Sequence, residues 1–369
     1  MLLAFATAVV IITAVVTSIV PRFRTSTPNE VEFSLAIVDF RDLATPDDLT
    51  VSASLTELVN IGLIESSKIR VVSSEYLHDL RRRLFGDRRG PIEDEQALEV
   101  ARKAGATLLL AGRIGRMEGK RFVTWRLVDT HSGENLAAQR VDESNLVDAA
   151  DEVIGTVLPA VARRCGFEIN TTTRPVDELT TESPEAYRHY VTAVLARERY
   201  RPEEALEELT QAVALDSTFA LAYFELGRLY WLTGATFWDF DATVENIERA
   251  WRLRSRLGIK DRLRLEGFRY DMNRRLTRAV DTYKEILNRW PDDRQTLRDL
   301  SNLLYRYWDW RGAMEIHETG MRLYPNDAVL GGPLYIQCLV YLGRPEDALR
   351  LTRSYVERHP DEPSAWGEL

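Results

Sequence analysis

The segment GRIGRMEGKR, Gly112 to Arg121, comes nearest in this sequence to a phosphate-binding loop. Such a loop follows the pattern G-x-x-x-x-G-K-[ST], in which backbone N–H groups turn onto phosphate oxygens and a hydroxyl holds Mg²⁺. Here the glycine spacing differs from that pattern, and Arg121 stands where the hydroxyl belongs. We therefore predict a strand, a turn and a second strand in place of a nucleotide site.

The histidines and cysteines show no pattern of a metal site or a nucleophile. No two histidines are spaced i, i+4, none belongs to an H-E-x-x-H helix, and the two cysteines form no C-x-x-C pair. The kinase motifs H-R-D and D-F-G and the hydrolase motif G-x-S-x-G are missing from the sequence. We predict a non-enzyme without catalytic, cofactor-binding or metal-binding residues.

Two aspartates, Asp39 and Asp42, belong to the end of the apolar run FSLAIVDF and the residues just after it. That run has the length and composition of a buried strand. Open α/β sheets bind ligands at the carboxyl ends of their strands, which would give these carboxylates a ligand to face. Capping of a loop or of the next helix is the commoner role, and we predict that role here.

The basic segment Glu248 to Arg275 is the strongest local departure from the acidic average. Arginines interleaved with aromatic residues could bind an acidic peptide, lipid head groups or a phosphorylated segment. We favour the simpler interpretation, a solvated face of two neighbouring helices. The chain as a whole has a net charge of −9 over 369 residues, which argues against a nucleic-acid partner.

Residues 2–20, LLAFATAVVIITAVVTSIV, contain no charge and are long enough, at roughly 28 Å as a helix, to cross a bilayer. We predict a transmembrane helix there, followed by a polar linker at 21–31, and hence a single-pass protein of the inner membrane. Only five of the 48 basic residues are lysine, a bias that points to a bacterial source. Arg22 and Arg24 directly follow the apolar run and place the rest of the chain in the cytoplasm.

Strand patterns mixed with helix patterns fill residues 32–166. The residues KRFVTWRLVDTHSGENLAAQRV alternate on both sides of Ser132 and Gly133, as in a hairpin. We predict one α/β or α+β domain over this range. A Thr-, Pro- and acid-rich linker follows at 167–183, and only helical patterns come after it.

The second half of the chain is repetitive. The residues RPEEAL at 201–206 recur as RPEDAL at 344–349, about four periods of 34 residues later, and Ala279 and Ala313 lie 34 residues apart. Prolines that would end the second helix of a pair follow such alanines by 12 residues, at Pro291, Pro325 and Pro360. We predict an all-α solenoid of about five helix pairs over 184–362, with 363–369 opening a sixth.

The segment FALAYFELGRLYWLTG resembles the tetratricopeptide repeat (TPR) family, whose aromatic, Leu-Gly and tyrosine positions match Tyr223, Leu226, Gly227 and Tyr230. The second repeat departs from the pattern, because ATFWDFDATVENI adds residues between its helices. The resemblance implies a superhelix whose concave groove binds a peptide or protein.

The earlier domain resembles the TolB amino-terminal-like domain of bacterial TPR proteins. The resemblance rests on LAIVDFRDLA, IRVVSSEYL, ARKAGATLLLAGRI and RLVDTHSGENL, which occur in the expected order. In that family the domain often follows a transmembrane helix with a Ser/Thr protein kinase ahead of it. The resemblance thus implies a periplasmic location, against the cytoplasmic location that Arg22 and Arg24 indicate.

By the TPR resemblance, the first helix of each pair lines the groove. The residues at its groove positions are Tyr190, Arg197, Phe224, Arg228, Trp231, Arg264, Phe268, Arg298, Asn302 and Tyr305. Aromatic residues beside arginines suit an acidic peptide. We expect Arg228→Ala and Arg264→Ala to weaken capture of such a partner without unfolding the chain.

Two functions remain open from the sequence. The first is a membrane-anchored scaffold or sensor that binds a protein partner in the groove and performs no catalysis. The alternative is the non-catalytic half of a transmembrane signalling enzyme, either a Ser/Thr kinase or, as further candidates, an adenylate cyclase or a winged-helix regulator.

Overall fold

The computed structural model describes residues 33–43, 49–66, 69–86, 92–118, 120–143, 145–168, 174–198, 201–232 and 239–358. The predicted transmembrane helix at 2–20, the linker at 21–31 and the start of a sixth repeat at 363–369 lie outside these residues. No helix within the described ranges combines the length and the apolar character that a bilayer crossing needs. Even the 20-residue helix Leu146–Cys165 carries aspartates, a glutamate and two arginines. The prediction of a single-pass inner-membrane protein is therefore corrected, since the structure does not support it.

A mixed sheet forms the centre of the first part of the chain. Its described strands are Ser34–Ile37 (β1), Arg41–Asp42 (β2), Arg70–Val71 (β3), Leu108–Met117 (β4), Lys120–Asp129 (β5) and Asn135–Glu143 (β6). The order is β3-β1-β4-β5-β6, with β2 also paired to β4. The β1–β3, β1–β4 and β2–β4 pairs are parallel, and the β4-β5-β6 meander is antiparallel. The β5-β6 hairpin is the one that the sequence predicted around Ser132 and Gly133. The phosphate-loop-like segment lies on β4 and β5, as predicted.

Helices cover both faces of this sheet. They are Leu49–Glu65 (α1), Ser74–Phe85 (α2), Asp94–Lys103 (α3) and Leu146–Cys165 (α4). Because successive side chains of a strand point to opposite faces of the sheet, the side chains of β1 and of Val38, which follows it, contribute to two hydrophobic cores. Leu35 and Ile37 belong to the core beneath α1 and α4, whereas Ala36 and Val38 belong to the core beneath α2 and α3. We call this unit, β1–β6 with α1–α4, the α/β part.

Only helices follow. After the short helix Val176–Leu179 (α5), the described helices form five successive pairs. They are Pro184–Glu198 (α6) with Pro202–Leu215 (α7), Ala220–Leu232 (α8) with Phe240–Arg252 (α9), Ile259–Met272 (α10) with Leu276–Arg289 (α11), Arg294–Arg306 (α12) with Trp310–Leu323 (α13), and Pro333–Tyr341 (α14) with Pro345–Arg358 (α15). We call α6–α15 the solenoid, and the face formed by the first helix of each pair its inner face.

Small residues let the helices of a pair approach closely. Ala279 and Ala313, which set the 34-residue repeat in the sequence, are fully buried. A Cβ added at Gly267 of α10 would lie 2.8 Å from the ring of Tyr283 of α11, closer than packed atoms allow. The second helices α11 and α13 end just before Pro291 and Pro325, which cannot continue the helical hydrogen bonding.

The turn inside the last three pairs repeats in backbone detail. Arg274, Trp308 and Gly343 all have a positive φ, of 55°, 65° and 74°. The next residue in each turn donates its N–H to a carbonyl five residues earlier, at 2.9–3.0 Å. One turn conformation thus recurs every 34 or 35 residues, although only one of the three positions is glycine.

Glycine is required by backbone conformation at Gly343 and not at Gly155, which allows a paired test. We expect Gly343→Ala to lower the free energy of unfolding by about 1 kcal/mol, because a Cβ is strained at φ 74° although no neighbouring atom obstructs it. Gly155→Ala, on the exposed face of α4 with open space around it, should raise that free energy by about 0.5–1 kcal/mol. Urea unfolding followed by circular dichroism measures both, and a shift of the same sign in the two variants would contradict this account of the turn.

The α/β part and the solenoid share one core. The residues from Phe33 onward form a single compact unit, and α1 packs on α6 and α10. Leu58 of α1, Val176 of α5 and Tyr187 of α6 belong to the same buried cluster. The predicted division of the chain at 167–183 stays a prediction.

Candidate functional site

A polar cavity of about 160 Å³ lies between the α/β part and the inner face of the solenoid. Residues of α1 and of the start of α2 form one wall, and residues of α6, α8, α10 and the segment before α12 form the other. Its charged lining residues are Asp39, Glu57, Glu75, His78, Arg197, Glu225, Lys260, Asp261, Arg264, Asp292 and Asp293. The first half of the inner face, which the sequence predicted to hold a partner, is therefore occupied by the chain's own α/β part.

The sheet topology explains the position of this cavity. β1 has β3 on one side and β4 on the other, and the helices that follow β1 and β3 lie on opposite faces of the sheet. Such a point leaves a crevice at the carboxyl ends of the strands, where open α/β sheets bind ligands. Asp39 follows β1 and Ser73 follows β3, and both residues line the cavity.

The two aspartates that the sequence singled out bind side chains of other elements. Asp39 Oδ2 lies 2.9 Å from His78 Nε2 of α2. Burial would raise the pKa of Asp39, but His78 and Arg81 outweigh burial and lower it. Asp42 Oδ2 accepts a hydrogen bond from Arg121 of β5 at 3.1 Å. Asp39 thus belongs to the cavity wall, whereas Asp42 ties β2 to the meander.

Glu225 of α8 is the centre of a buried ion-pair network. Its carboxylate contacts the guanidinium groups of Arg197, of Arg228 at 3.3 Å and of Arg264 at 3.7 Å. Burial alone would raise the pKa of Glu225, but the three arginines outweigh burial and lower that pKa to about 2. Asp299 of α12 extends the network, since it accepts from Arg228 at 3.2 Å. The network ties α6, α8, α10 and α12 together.

Further polar contacts join the solenoid to the α/β part. Asp292 Oδ2 accepts the backbone N–H of Ser73 at 3.1 Å. Glu65 of α1 accepts from Arg174 at 2.7 Å and from the backbone N–H of Ile259 at 2.8 Å. Lys260 Nζ lies 3.2 Å from Asp293, and although burial would lower the pKa of this lysine, Asp293 and Asp261 raise it. All of these groups except Glu65, Arg174 and Ile259 line the cavity.

The structure divides the ten predicted groove residues into two groups. Half of them are buried, namely Tyr190, Phe224, Arg228, Arg264 and Phe268. The other half are partly exposed, namely Arg197, Trp231, Arg298, Asn302 and Tyr305. Arg228 is only 1% exposed and presents no surface that a partner could contact. As partner contacts the ten residues remain a prediction, which the second group suits better.

The predicted groove arginines all pair with carboxylates of the same chain. Arg197 contacts Glu225, Arg228 contacts Glu225 and Asp299, Arg264 contacts Asp261 and Glu225, and Arg298 contacts Asp327. Sequence reasoning missed these carboxylates, although two of them stand three residues before their arginine, as Glu225 before Arg228 and Asp261 before Arg264. The charge that suggested an acidic partner is thus used within the fold.

The basic segment Glu248 to Arg275 also makes internal pairs. Arg269 contacts Glu248 at 2.8 Å, and Arg249 contacts Glu245 at 3.2 Å. The guanidinium groups of Arg254 and Arg269 lie 4.5 Å and 4.4 Å from the ring centre of Trp251. These contacts fit the favoured interpretation, a partly solvated surface of neighbouring helices.

A cluster of large hydrophobic residues, four of them exposed and Trp310 half-buried, lies at the other end of the solenoid. We call it the aromatic edge: Tyr307 and Trp308 between α12 and α13, Trp310 of α13, and Val340 and Tyr341 of α14. Trp308 is 79% exposed and Tyr341 is 52% exposed. The rings of Trp310 and Tyr341 stack with centroids 4.4 Å apart, which joins the two turns into one surface.

Metal and thiol chemistry finds little support within the described ranges. There, no group of three or more His, Cys, Asp and Glu side chains is arranged to hold a metal ion. Burial raises the pKa of Cys338 to about 11, which keeps its thiol protonated and a poor nucleophile at neutral pH. That the chain has no catalytic or cofactor-binding residues remains a prediction.

Comparison with known proteins gives structural likenesses alone. No protein-family model matches the chain, and no curated protein matches it. Similar solved structures include YrrB, described as a TPR protein with an unusual peptide-binding site, at 18% identity over 49% of this chain and 90% of that one, with a TM-score of 0.31. A MamA structure has 18% identity over 47% and 99%, with a TM-score of 0.32. The Cut9–Hcn1 hetero-tetramer has 14% identity over 61% and 41%, with a TM-score of 0.39. The helical repeat is established by the ten paired helices of this chain, and these likenesses show no function for it.

Proposed function

We propose that this protein is an interaction scaffold that binds a segment of another protein along the aromatic edge and the adjoining inner face. The observation that carries the proposal is the aromatic edge itself. Large contiguous apolar patches are uncommon on surfaces without partners, and tryptophan and tyrosine are enriched among the residues that contribute most binding energy at interfaces.

Because part of the inner face is covered by the α/β part, a partner can reach the inner face chiefly towards α12 and α14, beside the aromatic edge. The α/β part covers the inner face near α6, α8 and the start of α10, so a partner would meet the face chiefly at α12 and α14. Asn302 and Tyr305 lie there, and the hydroxyl of Tyr305 donates to Gln337 of α14. Amide and phenol groups beside exposed rings suit a segment that offers apolar side chains and backbone hydrogen bonds.

The chemistry of this surface favours an apolar segment over an acidic one. Arg298 contacts Asp327, and Arg306 contacts Asp271, so the nearby guanidinium groups are already neutralised.

Two assignments of the domains are kept as proposals. They are the TolB-like domain at residues 32–166 and the separate solenoid domain at 184–362. The alternative of a non-catalytic half of a signalling enzyme gains no specific observation from the described residues.

Peptide selection tests this proposal. We expect a random peptide display library, panned on the full chain, to yield aromatic or aliphatic peptides whose affinity falls about tenfold or more in Trp308→Ala and in Tyr341→Ala. Fluorescence polarisation with a labelled peptide gives the dissociation constants. Leu349→Ala, which removes an exposed leucine of α15 outside the aromatic edge, is the control and should bind as the wild type does.

Two results would count against the proposal. One is a selected peptide whose affinity is the same in wild type, Trp308→Ala and Tyr341→Ala. The other is self-association of the chain, seen by light scattering, that Trp308→Ala abolishes while no peptide binds, because the aromatic edge would then be a contact between copies of this protein.

A further inference from the structure

Hydrogen-bond acceptors of the cavity wall are left without partners. Asn60 Oδ1 and Asp292 Oδ1 are buried and have no hydrogen-bond partner among the described residues. Glu57, on the same face of α1 as Asn60, accepts a hydrogen bond from the Asn60 side chain and feels the charge of Lys260, but Lys260 forms its salt bridge with Asp293 instead. Unpaired buried acceptors are costly, so a donor that fills this space is expected to bind.

The cations of the wall are, in contrast, already paired. Lys260 contacts Asp293, Arg197 contacts Glu225, and Arg264 lies between Asp261 at 3.2 Å and Glu225 at 3.7 Å. Arg264 does keep unpaired N–H groups, but an anion placed there would meet these carboxylates as well. Seven carboxylates line the cavity against three permanently charged cations. The electrostatics of the wall therefore favour a cationic ligand over an anionic one.

Apolar side chains complete the wall. Ile61 and Ile64 of α1, Val191 and Val194 of α6 and Leu221 of α8 also line the cavity. Its 160 Å³ is far more than the roughly 10–15 Å³ that one water molecule needs. The space is thus suited to a molecule that has a short hydrocarbon body as well as a charged end.

We propose that this cavity binds a small organic ammonium ion, with the ammonium group on Glu57 and Asn60 and the hydrocarbon body against the apolar wall. Asp292 adds a third acceptor. Because the ligand would contact both the α/β part and the solenoid, its binding should hold the two together and raise the melting temperature with ligand concentration. The proposal does not depend on whether the aromatic edge binds a protein.

Four probes of similar shape separate the charge from the hydrocarbon. Isothermal titration calorimetry and thermal unfolding of the full chain are carried out with n-butylammonium, n-butanol, butyrate and 4-aminobutyrate. We expect n-butylammonium to bind and raise the melting temperature, with n-butanol and butyrate without effect at the same concentration. In Glu57→Gln, the affinity for n-butylammonium should fall about ten- to hundredfold.

Matched variants exclude a folding defect as the cause. Glu57→Gln removes a buried charge that has no salt-bridge partner among the described residues and is expected to fold, as its circular dichroism spectrum would confirm. Asn60→Leu tests the second acceptor, and Glu99→Gln, an exposed carboxylate on α3, should bind as the wild type does. The proposal is overturned if butyrate or 4-aminobutyrate binds in preference, if all four probes bind equally, if none binds, or if Glu57→Gln keeps the wild-type affinity.

Discussion

Glu225→Ala is expected to lower the free energy of unfolding by about 3–5 kcal/mol, the usual cost of removing one member of a buried ion pair. The carboxylate is the shared partner of Arg197, Arg228 and Arg264, and its loss leaves their charges buried with less compensation. Arg228 cannot move into solvent without disrupting α8, because its side chain is enclosed. Urea unfolding at pH 7, followed by circular dichroism, measures the change.

A surface carboxylate supplies the control. Glu207→Ala removes an exposed glutamate of α7 and should change the free energy of unfolding by no more than about 0.5 kcal/mol. The double variant Glu225→Ala with Arg228→Ala should lose less than the sum of the two single changes, because the residues share a network. If Glu225→Ala resembles Glu207→Ala, the network does not stabilise the fold.

The pH dependence of the same residue has a defined sign. The pKa of Glu225 is about 2 in the folded chain, below its ordinary value of 4.5. A carboxyl group with a lowered folded pKa stabilises the fold above its unfolded pKa, and this contribution is lost as the pH falls towards the folded value. Wild type should therefore lose stability between about pH 4.5 and pH 2 more steeply than Glu225→Gln does.

This network changes what the sequence suggested for Arg228. The groove pattern predicts that Arg228→Ala weakens partner capture and leaves the fold intact. In the structure, Arg228 contacts Glu225 and Asp299 and is enclosed, so we now expect its removal to destabilise the chain. Arg298 is a better test of partner contact than Arg228, since it is partly exposed and lies on α12, away from the part of the inner face that the α/β part covers.

The solenoid could be predicted because its information is local. Ala279, Ala313 and Gly267 are small where two helices of one pair cross, and the 34-residue spacing repeats that requirement along the chain. The strands were predictable for a similar reason, since Leu35 to Val38 must fill a core on each side of β1. Both signals depend on neighbours close in sequence.

The occupied inner face could not be predicted in the same way. Its contacts join residues far apart in the chain, as Ser73 with Asp292 and Glu65 with Ile259, which are 219 and 194 positions apart. An arginine on a repeat helix has the same local pattern whether it faces a partner or a carboxylate of its own chain. The repeat pattern therefore located the inner face but not what covers it.

His317 gives the second large effect, a loss of stability in mild acid. The residue is fully buried in α13, its Nδ1 donates to the carbonyl of Leu330 at 2.9 Å, and its ring stacks on Tyr335. Burial lowers the pKa of His317 to about 4, against the opposing effects of the Leu330 carbonyl and Asp327. The ordinary value is 6.5, so between about pH 6.5 and pH 4 the unfolded chain takes up a proton that the folded chain does not.

The contribution of neutral His317 to the free energy of unfolding is therefore fully present above pH 6.5. It is lost as the pH falls to about 4, and the loss amounts to about 3 kcal/mol. His317→Gln keeps an N–H donor for Leu330 but does not titrate, so its free energy of unfolding should change less over this range even if it is lower at pH 7. Thr319→Ala, which removes a half-buried hydroxyl of the same helix that does not titrate in this range, should keep the wild-type pH profile. Urea midpoints at pH 7 and pH 4.5 for the three chains decide the matter. Parallel profiles for wild type and His317→Gln would mean that the pKa of His317 is the same in the folded and the unfolded chain. His317 would then take up its proton without unfolding, and its pocket would not be closed to solvent.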